Sequence, residues 1–235
     1  YRTGQALFGR PYIFISDILN YFRNKSHRIC GIINSDISLA QDPNLKTFLY
    51  EQAHNSLLYG PRFQVNSFLE ENGTLDPLGF DFFIFDRSLI SDWAETYFCL
   101  GMPSWDHWFP LVSLLCGRNV KKLVSQIAFH SYHEVSSDRA VIPFNNEFVS
   151  QIIKHFALSE RNLSRLDSTR NVVLFNKFQF TDSYNTIIEK IKNDLKIVND
   201  DKLINYKELA IFFDEFTRYS LRFLEKHSKK IEFEC

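Results

Sequence analysis

The chain has 235 residues, 45% hydrophobic and 23% charged, enough for a folded core in one large domain or one and a half. Its net charge of −1 lacks the basic excess of a general nucleic-acid binder, and no apolar run is long enough to cross a bilayer. The four cysteines, Cys30, Cys99, Cys116 and Cys235, are widely spaced and form no CxxC, which argues against a zinc knuckle or redox motif and for buried free thiols in a reducing cytosol. With no signal peptide visible, the expected location is the cytoplasm, including a peripheral place at the inner face of the membrane. The first residue is Tyr1 rather than Met, so the chain is expected to be a fragment or a trimmed form. The Asn-x-Ser/Thr matches at Asn24, Asn72 and Asn162 are expected by chance in such a chain.

In chain order, Gly9-Arg10-Pro11 signals a turn, and Ile13, Ile15, Ile18, Leu19 and Phe22 then predict a helix with its apolar face inward. Arg28 to Ile33 predicts a buried strand that ends on Asn34-Ser35-Asp36, and in open α/β sheets ligands bind at such strand ends. A helix is expected past Pro43, through Leu49 and Ala53. Arg62-Phe63-Gln64-Val65 alternates as a strand does, Asn72-Gly73-Thr74 is a turn, and Phe80 to Asp86 predicts an aromatic strand with Asp81 near its start. Residues 106–117 predict a helix with Leu111, Leu114 and Leu115 on one side, and Leu123 to Phe129 a strand leading into His130.

A soft boundary is expected near residue 145, separating 1–144 from a mainly helical region, 145–235, that packs on the first domain or on a partner. Phe148, Ile152, Ile153 and Phe156 mark one helix there, Val172 to Phe175 a short strand, Ile187 to Ile197 a Lys-rich amphipathic helix, and Tyr206 to Phe223 a helix with an aromatic face suited to core packing or docking.

The stretch Leu100 to His133 organises the rest. Asp106 lies between Trp105 and Trp108, and a carboxylate beside buried indoles is paired, metal-bound, or kept reactive by a raised pKa. Its bland reading is a cap for a helix starting near His107. Asp36 at a strand end suits Mg²⁺ or Mn²⁺, and a histidine completes the shell of Mn²⁺ more readily. Taken singly, Asn-Ser-Asp is an ordinary turn and His130-x-x-His133 an ordinary surface or core pair. On a strand those histidines face opposite ways, so at most one is a direct ligand.

The order of four blocks carries a resemblance: Gly31-Ile32-Ile33-Asn34-Ser35-Asp36-Ile37, then Gly79 to Phe85, then Gly101-Met102-Pro103-Ser104-Trp105-Asp106-His107-Trp108, then His130-Ser131-Tyr132-His133. Over roughly residues 5–135 the chain resembles the GT-A fold glycosyltransferases, in particular little-characterised groups with "NSDI" and "GxPxWDxW" segments. The resemblance implies an α/β fold, a GT-A-like mixed sheet flanked by helices; the short stretch before Asp36 leaves open whether its N-terminal nucleotide-binding half is truncated or the domain is degenerate. It implies transfer of a sugar from a nucleotide-sugar to the hydroxyl of a glycan or lipid-linked acceptor, as in polysaccharide biosynthesis.

The implied roles follow position by position. Asp36 would hold a divalent metal, Mn²⁺ or Mg²⁺, on the donor diphosphate, with His130 as the late metal ligand and His133 as the second choice or a donor contact. Asn34 and Ser35 would lie along the donor, and Asp81 would meet donor sugar or acceptor. Asp106 would be the base that deprotonates the acceptor, with Trp105 or Trp108 stacked on a sugar face. Two departures stand out. Asn34 replaces the first acidic residue of the DxD-type motif, which lowers the expected metal affinity. Far fewer residues precede Asp36 than such enzymes spend on the base-binding strands, and no Gly-rich phosphate loop replaces them. The competing readings are a non-catalytic, degenerate GT-A-like module that binds glycan or braces a partner, and a metallohydrolase using Asp36, Asp106, His130 and His133 as a cluster.

Overall fold

In the computed structural model the described residues are 12–68, 70, 72–132, 144–145, 147–148, 151, 217–218 and 220–234. By contacts the chain groups into Tyr1–Ala157 with Tyr219–Cys235, and separately Leu158–Arg218. Of the second group only residues 217 and 218 are described, so the strand expected at 172–175 and the helix expected at 187–197 lie outside the described residues, as does most of the helix expected at 206–223.

The first group is a mixed α/β structure. Helix α1 (Ile15–Arg23) leads to β1 (Ile29–Ile33), β2 (Ile37–Leu39), α2 (Leu45–Gln52), β3 (Ser56–Tyr59), β4 (Arg62–Val65), β5 (Thr74–Asp76) and β6 (Phe82–Asp86). A 3-10 turn, Arg87–Asp92, precedes α3 (Trp105–Leu115), β7 (Asn119–Leu123), β8 (Ala128–Ser131) and, after helical residues 220–227, β9 (Lys229–Ile231). Five strands form one mixed sheet in the order β1-β6-β3-β7-β9, and four form a second in the order β2-β8-β4-β5. Both hold parallel and antiparallel pairs: β3 with β7 and β4 with β8 run parallel, while β1 with β6 and β2 with β8 run antiparallel.

β6 is aromatic because both its faces are covered. Phe83 and Phe85 pack under α3 against Trp105, Phe109 and Trp93, and the rings of Trp93 and Phe109 stack at 3.9 Å. Phe82 faces the opposite way, into a cluster with Leu45, Leu49, Leu58, Leu123 and Phe233. Successive side chains of a strand point to opposite faces, so a strand buried on both sides reads as a continuous apolar run.

The structure differs from the sequence reading in several places. The strand expected over Leu123 to Phe129 is two strands in different sheets, with the chain bending at Ser125 and Gln126 between them. The tail expected to be helical contributes β9, which pairs with β7 of the central sheet. Cys30 and Cys99 are buried and free as expected, but Cys116 is exposed, just past the end of α3. No helix among the described residues is long and apolar enough to cross a membrane.

Candidate functional site

Strand register brings the candidate residues together. In the antiparallel β1–β6 ladder Ile33 faces Phe82, so the residue after β1 and the residue before β6 lie opposite each other. Those are Asn34 and Asp81. The Asn34 amide N–H donates to the Asp81 carbonyl at 2.9 Å, and Asn34 Nδ2 donates to Asp81 Oδ1 at 2.6 Å. In the second sheet Ile37 and Gln64 both pair with His130. That register sets Asp36, one residue before β2, and Gln64 on either side of the imidazole. His130 Nε2 lies 3.1 Å from Asp36 Oδ2, and Nδ1 lies 2.8 Å from Gln64 Oε1.

Alternate residues of a strand share a face, so Arg62 accompanies Gln64. Arg62 Nη1 donates to Asp81 Oδ2 at 2.7 Å and Nε donates to Asp76 Oδ2 at 3.0 Å, while Gln64 Nε2 reaches Asp76 Oδ2 at 3.4 Å. The contacts run without a break from Asn34 through Asp81, Arg62, Asp76, Gln64 and His130 to Asp36, two residues from where they began.

Asp106 enters on the first turn of α3, where the helix dipole favours a negative charge. It is not the cap: Ser104, in the left-handed region with φ 76°, holds that position. Pro110 lacks the amide that would close the helix on the Asp106 carbonyl. His107 Nε2 lies 3.0 Å from the Leu78 carbonyl and 3.8 Å from Asp106 Oδ2, with its ring edge-on to Phe80.

Charge ties these places together. Burial pushes the Asp81 carboxyl above the usual carboxylate range, opposed by Arg62 and reinforced by the charges of Asp106 and Asp36. Both outlying carboxylates are therefore close enough to act on Asp81. Burial also works against ionised Asp76, but the Leu78 amide, Arg62 and Gln64 outweigh it and hold that carboxyl below its usual value. Asp76 and Asp81 thus share the Arg62 guanidinium, while Asp36 and Asp106 add negative charge near Asp81.

The expected stacking platforms are absent. Trp105 and Trp108 are buried, packed against Phe83, Phe98 and Phe109, so neither indole face is open to a sugar. Asp106 does not share their burial; its side chain keeps 20% exposure. Ser35 is exposed at the tip of its turn, and His133 lies outside the described residues. Arg62, Gln64, Asp76 and His107 were not among the candidates. The alternation of β4 and the position of His107 beside Asp106 were the available signals.

Among the described residues no group of three or more His, Cys, Asp or Glu side chains is close enough to form a metal site on its own. Asp36 and His130 nonetheless fit two neighbouring ligands of one ion: bonds of about 2.1 Å at right angles separate the donor atoms by about 3.0 Å, against the 3.1 Å found. Asn34 Oδ1, in the same turn, is buried with no hydrogen-bond partner among the described residues and has lone pairs to offer. One nitrogen and one or two oxygens suit Mn²⁺ or Mg²⁺ held with help from water or a ligand's phosphates.

The chain matches no family model, no curated protein and no solved structure in the comparisons made with each.

Proposed function

We propose that this chain is a GT-A-like glycosyltransferase domain that moves a sugar from a nucleotide-sugar to a hydroxyl acceptor. The observation that supports the reading is the unbroken run of contacts from Asn34 through Asp81, Arg62, Asp76, Gln64 and His130 to Asp36, with Asp106 on the first turn of α3 adding negative charge near Asp81. A site so rich in carboxylates repels a bare diphosphate and attracts a cation, which suits a donor that arrives with a divalent ion.

In this mechanism Asp106, part-exposed at the start of α3, accepts the proton of the acceptor hydroxyl as that oxygen attacks the anomeric carbon. Asp36 and His130, with Asn34 Oδ1, would hold the ion, which when bound neutralises the charge that grows on the departing diphosphate. Asp81, fixed by Asn34 and Arg62, would orient a sugar hydroxyl between donor and acceptor.

The test is transfer across a panel of uridine and guanosine diphosphate sugars with Mn²⁺, for the protein and for Asp106→Asn. Transfer should collapse in the variant while donor binding, followed by calorimetry, survives; unchanged turnover removes Asp106 as base. The degenerate binding module keeps one supporting observation, since Asn34 commits its amide to Asp81 and brings no charge to the ion. No heat with any nucleotide-sugar at millimolar concentration would favour it.

A further inference from the structure

We propose that Tyr132 is the platform on which the nucleoside base of the donor stacks. The inference rests on the reading of the chain as a transferase that takes a nucleotide-sugar. It supplies the base contact that neither the buried tryptophans nor a Gly-rich loop provides.

Strand β8 ends at Ser131, but its ladder runs on. The Tyr132 amide donates to the Val65 carbonyl at 2.9 Å, which carries the parallel β4–β8 pairing one residue further. Alternate residues of a strand share a face, so Tyr132 stands on the face of His130, about 7 Å further along. Gln64, which pairs with His130, lies on that face too, and so does Arg62. Arg62, which holds Asp81, comes two residues before Gln64, and Tyr132 comes two residues after His130. Because β4 and β8 run parallel, Arg62 and Tyr132 lie on opposite sides of the Gln64–His130 pair along the strands.

An exposed tyrosine is ordinary by itself. Tyr132 stands out by degree and by company. At 72% exposure it is the most open of the large hydrophobic side chains among the described residues. Its ring and hydroxyl make no hydrogen bond or ring contact with another described residue. The backbone that carries it is tied into a sheet, so little ordering is lost when a ligand lies on the ring.

A nucleotide-sugar has two ends, sugar and nucleoside, on either side of its diphosphate. In the proposed function the diphosphate sits with its cation at Asp36 and His130, and the sugar at Asp81. With Arg62 and Asp81 at the sugar end, the nucleoside runs toward Tyr132. Stacking suits that place, because an uncharged base meets a phenol ring face to face and needs no cation beside it. Every base has such a face, so Tyr132 holds the nucleoside without choosing between uracil and guanine.

The test is calorimetry of the full chain in Mn²⁺ with uridine diphosphate, guanosine diphosphate and inorganic pyrophosphate, for the protein, Tyr132→Ala and Tyr132→Phe. The alanine variant should bind whichever nucleotide the protein takes about tenfold more weakly. The phenylalanine variant should bind it as the protein does, and pyrophosphate should bind all three alike. Unchanged nucleotide affinity in Tyr132→Ala overturns the proposal and leaves the transferase reading standing. So does a loss that falls equally on pyrophosphate, or one as large in Tyr132→Phe, which would mark a hydroxyl contact instead of a stack. If the unaltered protein binds neither nucleotide at millimolar concentration, the transferase reading itself fails and the platform falls with it.

Discussion

The Arg62 guanidinium meets the Asp81 carboxylate at 2.7 Å, with the aspartate side chain 8% and the arginine 25% exposed. Breaking a buried pair leaves a charge without water or partner and costs more than the pair contributes. Because Arg62 keeps some solvent, Arg62→Met is expected to destabilise by about 2–3 kcal/mol at neutral pH, below the range for fully buried pairs. The pH dependence has a definite sign. The folded Asp81 carboxyl already titrates above its unfolded value, so its contribution favours folding at low pH and is lost as pH rises through the folded pKa. Without Arg62 that pKa rises further. The gap between Arg62→Met and the unaltered protein, measured by urea unfolding, should therefore widen from pH 4 to pH 7.5; a gap independent of pH would count against this account.

Asp86 behaves in the opposite way. It ends β6, accepts from the Asn55 and Ser88 amides and pairs with Arg28 at 2.8 Å. Burial works against the ionised form, but these donors outweigh it and hold the carboxyl far below the usual range. A depressed folded pKa gives stability that is present above the unfolded value, near about 3.9, and lost as pH falls through the folded one. Asp86→Ala should cost about 3 kcal/mol at pH 7, since charged hydrogen bonds and two backbone donors lose their acceptor. The penalty should shrink steadily below about pH 4. Chemical unfolding of both proteins across that range checks it, and a constant penalty would contradict it.

What the sequence could show was set by periodicity. The strand ending at Asn34, the aromatic run of β6 and the helix carrying Asp106 were legible because each buries a regular apolar pattern. The same pattern held a warning about the tryptophans: Trp105, Trp108, Phe109 and Val112 recur at helical spacing, which is a core face rather than a platform. The division between β7 and β8 was hidden because apolar residues, Leu123 and Val124 before and Ile127, Ala128 and Phe129 after, flank Ser125 and Gln126, and two polar residues alone fit a continuing strand as well as a bend. Nothing local records that the chain changes sheets at Ser125 and Gln126. The pairing of Arg62 with Asp76 and Asp81 depends on cross-strand register, which one sequence does not carry.

The three tryptophans of the chain, Trp93, Trp105 and Trp108, are all buried. Emission should accordingly be blue-shifted, weakly quenched by acrylamide, and unchanged by added sugars. A sugar-dependent change in quenching would restore the stacking role the fold denies them. Their indole nitrogens differ: Trp93 Nε1 donates to the Phe109 carbonyl at 3.0 Å, whereas buried Trp108 Nε1 has no hydrogen-bond partner among the described residues. Replacing Trp93 by Phe removes a donor from a buried carbonyl, and replacing Trp108 by Phe removes a donor already unsatisfied. Trp93→Phe should therefore destabilise by about 1 kcal/mol more than Trp108→Phe in thermal or urea unfolding.

Gly79 offers a test of the Arg62 fork that alters no charged residue. Its carbonyl accepts from the Arg62 amide at 3.1 Å, and a Cβ built on it would sit 2.6 Å from Arg62 Nε and 2.9 Å from Cζ. An arginine tip ordinarily swings away from such a contact, but this one is pinned by Asp76 and Asp81. Gly79→Ala should thus cost about 1–3 kcal/mol, the range for an overpacked site. The cause separates from a backbone effect through a double-mutant cycle. If the added methyl acts by pushing the guanidinium off its carboxylates, Gly79→Ala should cost little once Arg62→Met has removed the fork, and the two penalties should fall well short of adding. Additive penalties would mean that Gly79 is required for its own loop and not for the arginine that holds Asp81.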